Sequence, residues 1–151
     1  MAMGLLAMLL ASTACSKEKL YAGFRFICEV DGKKWNLGDK SPLDAYLIGD
    51  TLLTIVATYG AASVSIFIKD SRSISAGNYL LDGSLKGNAG HSSGQRDFVT
   101  DQLHTGTLTI TGLDRKNFKV SGRFSFQAKD PQTGRVVSIT NGFFNATYYP
   151  G

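Results

Sequence analysis

Hydrophobic and polar residues alternate one for one along much of this chain. In "NFKVSGRFSFQAKD" the residues Phe118, Val120, Gly122, Phe124, Phe126 and Ala128 fall on one face. Lys119, Ser121, Arg123, Ser125, Gln127 and Lys129 fall on the other. A period of two predicts an antiparallel strand with one face buried and the other in water. "GTLTITG" repeats the pattern, with Leu108 and Ile110 opposed to Thr107, Thr109 and Thr111, and "SVSIFIK" sets Val64, Ile66 and Ile68 on one side. "TLLTIVATY" is more continuously apolar and β-branched, which predicts a central strand covered on both faces.

Turn chemistry falls between these runs. Asp31-Gly32 and Asp82-Gly83 read as two-residue hairpin turns, because glycine tolerates the positive φ that such turns impose. In "LDRKN" Asn117 is the residue suited to a left-handed conformation. "DPQTG" turns the chain toward "RVVSITNGFFNATYY", where Asn141-Gly142 predicts a bulge in one long final strand. Helical signal is confined to Ser41-Pro42-Leu43-Asp44, which has the residues to cap a single turn. The expectation is an all-β fold of about eight or nine strands, a single antiparallel β-sandwich or flattened barrel.

The N-terminus has a different grammar. "MAMGLLAMLLASTAC" runs from an apolar stretch, Met3 to Ala11, through Ser12-Thr13-Ala14 to Cys15. The apolar run is far short of the roughly 20 residues of a membrane-spanning helix. The order apolar, small, cysteine predicts a cleaved bacterial lipoprotein signal with Cys15 as the lipid attachment site. Ser12 stands where such signals usually carry leucine, and no Lys or Arg precedes the apolar run. An ordinary leader with an incidental cysteine is the alternative. The expected division is residues 1–14 as signal peptide, 15–22 as a polar tether and 23–151 as the β domain. The product would be extracytoplasmic and anchored to the membrane through its N-terminal lipid. Ser16-Lys17-Glu18-Lys19 leaves the facing direction open.

Charge adds little. The 16 basic and 12 acidic residues all follow Cys15, and a net charge of +4 makes no case for nucleic acid. It permits a mild attraction to anionic membrane or glycan surfaces. With Cys15 lipidated, Cys28 is left without a disulfide partner. Its place in phase with Phe24, Phe26 and Val30 predicts a buried thiol.

Gly90-His91-Ser92-Ser93-Gly94 matches the G-x-S-x-G pattern of serine hydrolases. That motif needs a sharp strand-to-helix turn on a parallel sheet, and nothing around Ser92 predicts one. Ser92 therefore reads as a loop residue. His91, Asp97, Asp101 and His104 are the imaginable metal ligands, but the two histidines stand thirteen apart without the tight pairing that puts ligands on one wall. Asp31, Asp82, Asp114 and Asp130 fall in turns, where carboxylates cap backbone groups. No catalytic residue, metal site or cofactor is predicted. Trp35, Tyr46, Tyr59, Tyr79, Tyr148 and Tyr149 would mark a binding cleft if they converged, and sheet rims if they scattered. Lys119 and Arg123 form a small basic stripe that reads as a solvated face.

"VDGKKW" from Val30, "GNYLL" from Gly77 and "GTLTITGLDRKNFKVSGRFSFQAKDPQTGRVVSITNGFF" together resemble the small lipoproteins of unknown function common in Bacteroidetes. The resemblance implies export, an N-terminal lipid and one β-rich domain, and it brings no catalytic residues. The functional expectation is a non-catalytic binding or structural role in the cell envelope, with a glycan or another envelope protein as partner. Carriage of a glycan or small hydrophobic ligand in a barrel cavity is the alternative, and hydrolysis through Ser92 a weaker one.

Overall fold

The computed structural model describes residues 25–37 and 42–151, so the predicted signal, Cys15, Phe24 and the whole tether lie outside the described residues. Twelve strands follow in chain order: β1 (Phe26–Val30), β2 (Lys33–Leu37), β3 (Leu43–Ile48), β4 (Leu52–Tyr59), β5 (Ala62–Lys69) and β6 (Gly77–Leu81), then β7 (Gly87–Ser93), β8 (Arg96–Val99), β9 (Gly106–Asp114), β10 (Lys119–Lys129), β11 (Val136–Thr147) and β12 (Tyr149–Pro150). The fold is all-β, with no helix among the described residues. All strands belong to one curled, open sheet that forms a half-barrel. The count exceeds the expected eight or nine because short pieces such as β8 and β12 are too brief to show a period.

The main path runs β12-β3-β4-β5-β7-β8-β10-β11-β1-β2. Every pairing is antiparallel except β12 on β3. At β10 the sheet forks. Lys119 to Phe126 pair with β9, which carries β6 outside it, while Lys129 pairs with Val99 of β8. The two ends of the main path curl toward each other without pairing. Arg25 donates to the Leu43 carbonyl at 3.4 Å, and the Trp35 and Tyr59 rings meet edge-on at 6.4 Å.

The trough of the half-barrel is filled by side chains. Phe26, Phe124, Phe126 and Phe144 pack together, with Phe124 5.3 Å from Phe26, 6.3 Å from Phe126 and 6.4 Å from Phe144 between ring centroids. Ile55, Ile66, Ile68, Leu108, Ile110 and Ile139 are fully buried around them. Ile74, in the β5–β6 connection, is fully buried in the same core. Its amide donates to the Asp50 carbonyl at 2.8 Å, and its carbonyl accepts Arg115 Nη2 at 2.7 Å. Cys28 is fully buried in the same core, and burial, with Glu29 adding to it, pushes its thiol up to about 12.

Two turn expectations hold. Asp31 (φ 48°) and Gly32 (φ 77°) make the tight β1–β2 hairpin. Asn141 (φ 51°) sits in a bulge that skips a residue against both β10 and β1. Four local expectations are corrected. Leu43 and Asp44 begin β3 and not a helical turn, because Leu43, Ala45 and Leu47 alternate into the core. β4 is buried on one face only: Leu53, Ile55 and Ala57 point inward, and Leu52, Thr54, Val56 and Thr58 are half-buried. Asp82-Gly83 does not close a hairpin, since β6 pairs with β9 and residues 82–86 loop to β7.

The fourth correction concerns the β9–β10 turn. Phe118 (φ 53°), not Asn117, takes the left-handed position and stands 44% exposed, off the inner face assigned to it. Asp114 causes this: its carboxylate accepts the amides of Lys116 and Asn117 and the Asn117 side chain. The turn is thereby wound one residue further before β10 begins. Phe118 instead packs edge-on against Tyr148 at 5.8 Å.

Candidate functional site

Ser92 is not in a loop, as expected, but in β7, opposite Asp97 of β8 and Ser63 of β5 in an antiparallel stretch of sheet, because Ala89 and His91 alternate into the core. Its hydroxyl has no hydrogen-bond partner among the described residues. His91 points the other way. It is buried against Phe98, with ring centroids 6.0 Å apart, and its Nδ1–H donates to the Ser63 carbonyl at 3.0 Å. His104 is tied to Asp101 within one tight turn, Nδ1 to Oδ1 at 2.8 Å. The structure thus splits the imagined ligand set into separate local contacts. Among the described residues no group of three His, Cys, Asp or Glu side chains could hold a metal ion.

The acids in turns are structural. Asp130 accepts Thr133 Oγ1 at 2.6 Å and the Gln132 amide at 2.8 Å, and Asp82 accepts the Ser84 amide at 3.0 Å. Side-chain and then backbone donors hold the carboxyls of Asp82, Asp114 and Asp130 below the usual range. At Asp101 desolvation works the other way, but hydrogen bonds from His104 and Leu103 outweigh it.

The six singled-out aromatics do not build one cleft. Trp35 and Tyr59 close the seam between β2 and β4, and Tyr148 is buried. Tyr79 donates its hydroxyl proton to the Ser75 carbonyl at 2.9 Å. Only Tyr46 and Tyr149 form an exposed pair, 5.4 Å apart on neighbouring β3 and β12.

Space and polarity meet on the outer face of β9, β10 and β11. A groove of about 420 Å³ there is lined by Thr107, Thr109, Arg123, Ser125, Thr140 and Asn141. Register places them: Arg123 faces Thr109, and Ser125 faces Thr107. The bulge carries Asn141 to the groove wall, where its side-chain amide donates to Glu29 Oε2 at 3.1 Å. Arg123 is half-buried, and its guanidinium has no hydrogen bond or ion pair among the described residues. Lys119 lies beyond the groove, near Asp114. The Thr-rich alternation and Arg123 were both visible in the sequence. Their convergence with Asn141 depends on which strands become neighbours.

The model of a domain of unknown function, DUF6252, matches residues 26–147, from the first residue of β1 to the last of β11. The chain belongs to the DUF6252 family. No curated protein and no solved structure matches it.

The DUF6252 sheet offers a second space where it forks. Between β6 and the ends of β5 and β7 lies a cleft of about 610 Å³, lined by Lys69, Arg72, Lys86, Asn78, Asp70 and Asp82 among others. The Lys69 amide donates to the Lys86 carbonyl at 2.8 Å, which brings the two lysines to one wall. Arg72 is partly neutralised by Asp70 at 3.6 Å, whereas Lys69 has no ion pair among the described residues. Thr109 of the groove donates to Asn78 Oδ1 at 2.7 Å, so groove and cleft share a border.

Proposed function

We propose that this DUF6252 protein is a lipid-anchored, extracytoplasmic domain that binds a polyhydroxylated ligand, a glycan, without transforming it. On this reading residues 1–14 are a cleaved signal, Cys15 carries the lipid, and the β domain is held close to the envelope of a bacterium of the Bacteroidetes type. The order of apolar run, small residues and cysteine supports the anchor. The observation that carries the binding role is Arg123, without a hydrogen bond or ion pair among the described residues, set among the hydroxyls of Thr107, Thr109 and Ser125 in the outer groove. Hydroxyl, amide and guanidinium groups fixed on paired strands present donors and acceptors at small ordering cost, which suits a ligand made of hydroxyls. The inner trough, filled by Phe26, Phe124, Phe126 and Phe144, offers less to a carried hydrophobic ligand.

A non-catalytic role is supported by how the reactive groups are spent. His91 is directed into the core and His104 is held by Asp101. The test is a glycan and lipid binding screen with the purified full-length protein, beside an Arg123→Ala variant. Glycan binding that is lost in the variant is the expected result. A protein that binds lipids in the screen and no glycan overturns the reading. Labelling of Ser92 by a fluorophosphonate probe would overturn its non-catalytic part. Mass spectrometry of the mature N-terminus tests the anchor: an unmodified Cys15 or an uncut leader refutes it.

A further inference from the structure

We infer that the outer groove and the fork cleft are one track for an extended acidic glycan, with carboxylates seated at Arg123 and at Lys69 with Lys86. The inference rests on the glycan-binding reading and names the class of glycan.

Continuity comes first. Thr140 on β11, Arg123 on β10, Thr109 on β9 and Asn78 on β6 lie on four successive strands. Three inter-strand spacings make a band of about 14 Å, long enough for more than one sugar. The Thr109–Asn78 hydrogen bond joins its two halves, and beyond Asn78 the band opens into the cleft. The distribution of charge then selects the ligand. Among the described residues Arg123 and Lys69 are cations without an ion pair, toward opposite ends of the track, and Lys86 stands beside Lys69. Of the cleft acids, Asp70 is engaged by Arg72, and Asp82 accepts the Ser84 amide and also feels the charge of Lys86, so Lys69 is the cation there without a counter-charge among the described residues. A guanidinium held among hydroxyls offers two parallel N–H donors to a carboxylate. Between the charged ends the track presents Thr107, Thr109 and Asn78, which match hydroxyls. An acidic peptide fits less well, because β9 and β10 are paired on both edges and leave no free edge there to extend.

The test measures binding of oligogalacturonate, its carboxyl-reduced neutral counterpart and polyglutamate to the full-length protein by calorimetry. Oligogalacturonate should bind, more weakly as salt rises, and the reduced form about tenfold or more weaker. Arg123→Gln and the double variant Lys69→Gln/Lys86→Gln should each lose about tenfold, with circular dichroism confirming the fold. The comparison between ligands needs no variant, so it decides even where a variant fails to fold. Equal binding of the neutral form, with no effect of Lys69→Gln/Lys86→Gln, overturns the acidic track and leaves glycan binding standing. Polyglutamate binding as tightly as oligogalacturonate overturns it too, because charge alone would then suffice. Absence of binding to oligogalacturonate and to every glycan in the screen removes the proposed function as well.

Discussion

Phe124 and Gly142 face each other across β10 and β11, and the phenyl ring occupies the space a side chain at Gly142 would need. A Cβ there would stand 2.5 Å from ring atoms of Phe124. Gly122 and Phe144 repeat the arrangement one step along the same strand pair. Gly142→Ala is expected to cost about 1–3 kcal/mol through overpacking, and Phe124→Ala about 3–5 kcal/mol through the cavity it leaves. The double variant should be less destabilised than the sum, since the alanine methyl enters vacated space. Urea denaturation of the four proteins checks this, and additivity would refute the contact.

The edge-on contact of Trp35 with Tyr59 joins β2 to β4 without backbone pairing, so the lip of the half-barrel is held by side chains. Trp35 also meets Phe26 edge-on at 5.7 Å, which anchors it to the core. Trp35→Ala should cost about 2–3 kcal/mol, less than a fully buried tryptophan. Because Trp35 is the single tryptophan, Tyr59→Ala should shift the emission to the red while far-ultraviolet circular dichroism is unchanged. An unshifted spectrum would mean that the seam does not shield the indole.

Stability should fall in two stages as pH is lowered. Burial depresses the His91 pKa below the ordinary 6.5, and the hydrogen bond to Ser63 opposes this only in part. The unfolded chain therefore takes up this proton first, and stability drops as pH falls from about 6.5 toward the folded value. The carboxyls of Asp82, Asp114 and Asp130 are held low in the folded state, so their contribution is full above about 4 and is lost as pH falls through the folded values. His91→Gln, which keeps an N–H donor and does not titrate, should reduce the difference in urea midpoint between about pH 7 and pH 5. An unchanged difference would place the first stage elsewhere.

Cys28, with its thiol raised to about 12 by burial, should resist alkylation in the native protein at neutral pH. Peptide mass spectrometry after maleimide treatment should find Cys28 unlabelled in buffer and labelled in denaturant. Rapid native labelling would show that β1 opens locally.

The predictions differ in how far back they trace. The burial of Cys28, the inward faces of β9 and β10, the Asp31-Gly32 hairpin and the Asn141 bulge are legible in the sequence. Each follows from local rules, the alternation of side chains along a pleated strand and the few residues that accept positive φ. The proposed lipid at Cys15 rests on the sequence alone. Phe118 escapes the reading by alternation because the hydrogen bonds that Asp114 accepts decide where the turn ends. The fork at β10, the pairing of β6 with β9 and the meeting of Arg123, Thr109 and Asn141 belong to the tertiary structure. Alternation tells a strand which face to bury but not which neighbour to take. That choice is made by the whole core at once, as the sheet curls until Phe26, Phe124 and Phe144 share one interior.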